Sequence, residues 1–343
     1  MAAGGLRLYV ATRLLLAVPM LLVLLTMVFV LLHVAPGDPV LAIAPPNAPP
    51  ETIARLRADL GLDKPLWAQY LDYLGGLAQG DLGESLIFRG TPVAQRIGAT
   101  FPATLELTMA AMMVAVGVGL GLGALAGAKR GTWADLGGRL FGIVLYSTPI
   151  FWLGILAILV FSTILGWLPS GGRGLTPLDA AGRPFVATGM YTVDSLLALD
   201  WEAFGDNLVH LVLPAGTLGL VIAGVFIRIT RVNMLRTMVS DYVEAARARG
   251  IPERRVVLQH GFRNALIPVV TIVGLTFALL LSGAVLTENV FNWPGMGREL
   301  TRAIGNRDYP LVQGITAFFA MVVVGLSLAI DVVNALIDPR VRY

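Results

Sequence analysis

Three histidines, a glycine-rich run and one short charged stretch are the parts of this 343-residue chain that could carry chemistry. His33, His210 and His260 stand far apart, so none shares the i, i+4 spacing of a helical zinc site. Each is expected to be a satisfied or interfacial imidazole. There is no cysteine, which excludes disulfides, thiolate nucleophiles and zinc ribbons. No Gly-x-Ser-x-Gly elbow is present, and no serine–histidine pairing argues for an intramembrane protease. The "GLGALA" at residues 121–126 superficially matches a dinucleotide fingerprint, yet it lies inside an apolar run and not after a strand. "GAKRG" lacks the Lys-Ser/Thr ending of a phosphate-binding loop. The small residues at Gly117/Gly121, Gly119/Gly123 and Gly123/Gly127 instead allow two membrane helices to approach closely.

The charged stretch is more informative. "DYVEAARARGIPERR", residues 241–255, gathers four arginines and three acids between two long apolar runs. Asp241 and Glu244 have capping-box spacing, the alanines favour helix, and Gly250 is placed to end it. Pro252 and Glu253 suit the first turn of a second helix. The pattern predicts two short helices joined at a glycine, with a small alanine face ringed by arginines. A solvated loop explains the arginines but not two capped helices.

What positions such a surface is a membrane bundle. Hydrophobic residues make up 56% of the chain and charged ones 14%, against roughly a quarter in soluble domains. A bilayer helix needs ~20 apolar residues. Six uncharged runs qualify: 14–34, 107–128, 140–168, 208–227, 265–287 and 311–330. The third is too long for one untilted helix, so Pro149 should mark a kink and Pro169 an exit. The first lacks a small-residue cleavage site and is expected to be a retained helix. With both termini cytoplasmic, segments 1–13, 129–139, 228–264 and 331–343 hold 15 of 25 Lys and Arg in 74 residues, against 10 in 128 on the other face. That bias sets the orientation and accounts for the net charge of +3 without nucleic acid.

On the outer face, "ETIARLRADLGL" places Ile53, Leu56 and Leu60 on one helical face with Gly61 as stop, and "KPLWAQYLDYLGGL" continues as a second amphipathic stretch. Segment 169–207 has weak periodicity and is expected to be loop. In "NVFNWPGMGREL", Phe291 and Trp293 suit an interfacial anchor, while Pro294, Gly295 and Gly297 break the helix beside them. These four residues, Trp293, Pro294, Gly295 and Gly297, form a candidate outer gate. Inside the spans ionisable groups are nearly absent, and Glu106 and Asp331 at span ends are expected to be interfacial carboxylates. An ion-coupled carrier should show more, so energy for uphill transport is expected from another subunit.

"EAARARG" followed by "RNALIP" resembles the EAA coupling loop of binding-protein-dependent ABC importers. Pro268 falls 18 residues after Gly250, a spacing similar to the peptide and nickel branch. "HVAPGDPV", "LGLDKPLWAQYLDY", "GDLGES", "ATLELTMAA", "YSTPIFWLG", "NRDYPLVQG" and "DPRVRY" extend the likeness along nearly the whole chain. It most resembles the first permease subunit of dipeptide or oligopeptide importers. The resemblance implies an all-α membrane protein of type I ABC importer permease architecture, with six transmembrane helices and an extracytoplasmic insert after the first. It divides the chain into 1–99, a permease core 100–331 and a cytoplasmic tail 332–343. It implies a second homologous permease subunit, two ABC ATPase subunits and an extracytoplasmic solute-binding protein, in the bacterial inner membrane. ATP and magnesium belong to the ATPases, leaving no cofactor or metal in this chain and no catalysis. Carried over by residue, Glu244, Ala245, Ala246 and Gly250 form the ATPase-coupling site, with Arg247 and Arg249 as electrostatic neighbours. The implied cargo is a dipeptide or short peptide. Oligopeptide, nickel, glutathione or haem cargo would leave the same sequence signals, and an ion-coupled secondary carrier or a membrane enzyme is the rival class.

Overall fold

The computed structural model describes residues 3–34, 38–45, 47–281 and 284–337. Among them every named element is helical, and the strand-like geometry is confined to two isolated bridges, Glu84 with Pro92 and Leu178 with Pro184. The elements are α1 (Ala3–Val34), α2 (Pro39–Ile43), α3 (Pro50–Asp59), α4 (Leu66–Ala78), α5 (Val93–Ala128), α6 (Trp133–Ser147) and α7 (Ile150–Ala157). There follow a π segment (Ile158–Ile164), α8 (Tyr191–Ala198), α9 (Trp201–Met238) and α10 (Asp241–Ala248). The last group is α11 (Glu253–Arg255), a second π segment (Val256–Phe262), α12 (Arg263–Ala265), α13 (Ile267–Leu281), α14 (Val285–Val290), α15 (Met296–Gly305) and α16 (Tyr309–Ile337). The chain's end, 338–343, and so part of the expected tail, lies outside the described residues.

Four helices are continuous and apolar enough to cross a bilayer, within α1, α5, α9 and α16, and the number reaches six if each of two bent pairs is one span. The expected third span is one of those pairs. It turns by 100° between α6 and the helix that starts at Ile150, far more than a kink. Thr148 takes extended angles and Pro149 follows it, because a residue before proline is pushed out of the helical region. The other pair bends by 50° between residues 253–265 and 267–281, with the break at Leu266, two residues before Pro268.

The heart of the bundle is α5 against α9, running in the same direction. A Cβ on Gly123 would come within 2.7 Å of Thr230 Cβ, and one on Gly219 within 2.5 Å of the Ala111 carbonyl oxygen. Gly119 and Gly127 make equally close approaches to Phe226 and Met234. The small-residue pattern therefore works along the 119/123/127 line, each glycine facing every fourth residue of α9. A Cβ on Gly117 or Gly121 would meet nothing within 4 Å, so that half of the pattern packs closely against none of the described residues.

The outer segment folds as its periodicity predicts into α3 and α4, with Gly61 left-handed at φ +65° after α3. It is seated on the start of α16. Asp308, fully buried, accepts from Ser85 Oγ at 2.5 Å and from the Leu86 and Leu311 amides at 3.1 and 3.2 Å. His33 joins α1 to the same region, with Nδ1 2.8 Å from the Phe29 carbonyl and Nε2 3.1 Å from Gln69 Oε1. His210 likewise contacts its own helix, 3.0 Å from the Asp206 carbonyl.

Segment 169–207 is not simply loop. It contains α8 and the first turns of α9, held by two acids, Asp194 buried and Asp200 partly exposed, whose roles short-range periodicity does not reveal. Asp194 accepts from the Thr188 amide and hydroxyl and from the Gly189 amide at 2.8–2.9 Å. Asp200 caps α9 through the Ala203 amide and reaches back to the Leu178 amide, each at 3.0 Å. Those bonds to its charged form hold the Asp200 carboxyl below its ordinary range.

Candidate functional site

The charged stretch folds into a hairpin beneath the end of α9. Its first helix does begin at Asp241, but the capping box does not form. Ser240 is the N-cap, and its hydroxyl donates to the Thr237 carbonyl at 2.6 Å, so Asp241 is already the first helical residue. Gly250 ends the helix at φ +73°, and the Ile251 amide donates to the Ala246 carbonyl at 3.3 Å. A small apolar core closes the hairpin: Val243, Ala246 and Val256 are buried together, with Met238 and Ile251 against them. Gly261 returns the chain beneath α9, where an added Cβ would sit 2.7 Å from Met238 Sδ.

This sorts the expected coupling residues into two sets. Ala246 faces inward and belongs to the hairpin's own core. Arg247 is held by Glu253 through two bonds, Nε to Oε2 at 3.1 Å and Nη2 to Oε1 at 2.8 Å, and so braces the turn. Glu244, Ala245, Arg249 and Gly250 are exposed, joined by Asp241, Tyr242 and Ala248. Asp241, Glu244, Ala245 and Ala248 share one helical face, with only short or acidic side chains on it. Ala248 on that face and exposed Tyr242 beside it add to the coupling residues that the resemblance implied. The helical period could have placed Ala248, but only the burial of Val243 and Ala246 shows which side is out.

At the opposite end of the bundle lies the other expected site, and its anchor reading fails. Trp293 and Phe291 are almost fully buried, at 2% and 1% exposure, where an interfacial ring would face lipid or water. Trp293 Nε1 donates to the Ala103 carbonyl of α5 at 2.8 Å, and Phe291 packs with Ala157 and Leu213. Gly295 and Gly297 are not needed for left-handed backbone, since neither has positive φ. They are needed for room. A Cβ on Gly295 would overlap the Glu288 carboxyl, and one on Gly297 would stand 2.9 Å from Val285 Cα. Pro294 sits between Trp293 and Gly295, partly buried.

Glu288 is the hub that spacing missed, because nothing in "LTENVF" sets it apart from an ordinary loop acid. It is fully buried and accepts from Thr104 Oγ1 at 2.7 Å and from the Arg298 amide at 2.9 Å. Burial pushes its carboxyl above the ordinary range, and those donors oppose the push only in part. Glu106 proves equally internal. Arg173 donates to it at 2.5 Å, and the Thr192 amide and hydroxyl donate to it at 2.7 Å each. The guanidinium of Arg173 lies over the Tyr191 ring, 3.7 Å from its centre. Glu106 is thus a buried half of an ion pair tying segment 169–200 to α5, and not an interfacial carboxylate. Arg96 with Glu299 makes a second pair, from α5 to α15. Nothing is described of the Asp331 side chain.

No group of three His, Asp or Glu side chains that could hold a metal ion occurs among the described residues. What the arrangement offers is mechanical. An internally closed hairpin presents one face at one end, and a turn bonded to α5 sits at the other.

Comparison with known proteins places this geometry. Residues 119–343 match the family described as "Binding-protein-dependent transport system inner membrane component". Residues 6–108 match its N-terminal counterpart, "Binding-prot-dependent transport system membrane comp, N-term". The chain is 44% identical over 336 residues to the di/tripeptide transport system permease protein DppB of Pseudomonas aeruginosa, with 98% of each covered. It is 39% identical over 338 residues to the dipeptide transport system permease protein DppB of Escherichia coli, again with 98% of each covered. The glutathione transport system permease protein GsiC of Salmonella typhimurium is 39% identical over 335 residues, covering 98% of this chain and 99% of that one.

Proposed function

The chain belongs to the family of inner-membrane components of binding-protein-dependent transport systems, and from that premise we propose that it passes dipeptides and short peptides inward, driven by ATPases that grip the 241–262 hairpin. It is a multi-pass permease subunit of an ABC importer and not the subunit that hydrolyses ATP. The single observation behind the coupling role is the exposed Asp241–Glu244–Ala245–Ala248 face laid over a closed hairpin core. Short side chains let a partner groove come close to the helix backbone, while Arg249 beside them offers charge to an acidic rim. A helix whose inner face is packed to Met238 moves with α9, and so transmits a pull to the bundle.

The partners in this reading are a second permease subunit, two ABC ATPases that bind ATP and magnesium, and an extracytoplasmic solute-binding protein. The Lys and Arg bias supports a hairpin and termini on the cytoplasmic side. The likeness to the di/tripeptide and glutathione permeases supports a short-peptide cargo, glutathione being itself a tripeptide. Residues 100–331 would be the permease core, with 1–99 as an added first helix and outer segment. At the other end, Trp293, Pro294, Gly295 and Gly297 would act as an outer gate through their bonds and close contacts with α5 and Glu288.

The test is Glu244→Lys in the assembled transporter. Glu244 is exposed and contributes nothing to the hairpin core, so folding and membrane insertion should survive. Stimulation of ATP hydrolysis by substrate-loaded binding protein should be lost. Full stimulation in the variant would remove the coupling role.

A further inference from the structure

We propose that the groove between α6 and α9 is a binding site for a single anionic phospholipid. The groove has a volume of about 740 Å³, and its walls are mainly apolar, with Ile143, Val225 and Ile229 among them. Arg139, Arg228 and Arg231 line it towards the end of the bundle that carries the hairpin. The two helices nearly touch at Gly142 and Gly224, where a Cβ on Gly224 would stand 2.8 Å from the Gly142 carbonyl oxygen. The cleft opens beside that contact.

The charges at this end do not cancel. Arg231 is taken by Asp135, with Nε to Oδ1 at 2.5 Å and Nη2 to Oδ2 at 3.0 Å, and Asp135 also accepts from the Gly131 amide. Arg139 and Arg228 are exposed and make no hydrogen bond or ion pair with any described residue. Three arginines against the one carboxylate of Asp135 thus leave an excess of two positive charges at the head of an apolar slot. Exposed Trp133, six residues before Arg139 on α6, marks the interfacial level nearby.

This combination selects the occupant. A peptide laid along the slot would bury amide groups against walls with little to bond them, which is unfavourable. An acyl chain has no such groups. A facing protein helix would fill the slot but would also need to bring acids to two arginines. A phosphodiester supplies both parts at once, since guanidinium groups bind phosphate through paired hydrogen bonds and the chains follow the apolar wall. Basic pockets between membrane helices bind anionic headgroups on the same terms. The proposal is independent of the cargo and of the coupling role.

The assembled transporter would be placed in nanodiscs of phosphatidylcholine containing a trace of phosphatidylglycerol with a photoactivatable acyl chain. Irradiation should label peptides covering residues 139–147 and 224–232, which line the groove. Excess phosphatidylglycerol should compete the label away, while phosphatidylcholine and inorganic phosphate should not. R139Q/R228Q should cut the label by about fivefold or more, whereas K129Q/R130Q, equal in charge loss but off the groove, should change it little. R139K/R228K keeps the charge and should retain most of the label. Reading each variant as the ratio of phosphatidylglycerol to phosphatidylcholine labelling separates lost binding from poor assembly. Equal competition by both lipids, or equal loss in the two glutamine variants, would overturn the site. So would efficient cross-linking of a cysteine at Val232 to a neighbouring subunit, which would show the groove to be a protein interface.

Discussion

The outer end of this bundle and the hairpin at its other end treat their charged residues in opposite ways. At the outer end Glu106, Glu288, Glu299 and Asp308 are all buried, and each is bonded within the chain. Within the hairpin Asp241, Glu244 and Arg249 are exposed, and its own ion pair, Arg247 with Glu253, stays half in solvent. The buried pair of that end, Arg231 with Asp135, belongs to the bundle above it. Burial of a charge is tolerated only when partners replace the lost water, so the outer polar groups act as fixed joints between segments. An exposed pair contributes little to stability and leaves its surface free for other contacts. The contrast separates what the chain needs for its own fold from what it offers to a partner.

The largest expected effect tests the outer joints. Glu106→Ala would strand the Arg173 guanidinium, which is 9% exposed, without its carboxylate. Removing one half of a buried pair typically costs ~3–5 kcal/mol. The thermal unfolding midpoint of the detergent-solubilised protein should fall sharply, and Arg173→Ala added to it should recover part of the loss. A midpoint within a degree or two of the parent would break the contrast.

Next is Gly295→Ala. Its Cβ would run into the Glu288 carboxyl, and overpacking of this kind costs ~1–3 kcal/mol. Shortening the acid should relieve the clash, so Glu288→Asp in the same chain should restore part of the midpoint. If Gly295→Ala alone is silent, the turn at 291–297 is looser than its contacts imply.

The smallest effect on stability is expected at the hairpin. Gly250→Val would force a β-branched residue to φ +73°, at ~1–2 kcal/mol for a left-handed residue. Because nothing lies within 4 Å of a Cβ there, no packing clash adds to it. The global midpoint should barely move, while proteolysis between 248 and 256 should quicken and coupling to ATP hydrolysis should weaken. A global loss as large as that of Glu106→Ala would erase the distinction between the ends.

Long-range pairing explains which features were legible beforehand. Hydropathy located the apolar runs, helical period located α3 and α4, and Gly250 marked the end of α10, since each depends on residues within one or two turns. The Gly119/Gly123/Gly127 line was visible as a pattern, but its rival Gly117/Gly121 looked the same until α9 was placed against one of them. Trp293 reads as an interfacial ring in any hydropathy window. Its burial depends on the Ala103 carbonyl, 190 residues earlier.

The sequence by itself determined an all-helical membrane chain, the place of a charged hairpin between apolar runs and its resemblance to importer permeases. Those follow from local composition, period and motif. Only the tertiary structure decided that Ala246 and Arg247 serve the hairpin itself while Glu244, Ala245 and Ala248 face outward. The same holds for Glu106 and Glu288, which became buried joints, and for Gly295, kept small by a carboxyl seven residues before it. A side chain's burial is set by what folds over it, and those atoms come from parts of the chain that no local pattern connects.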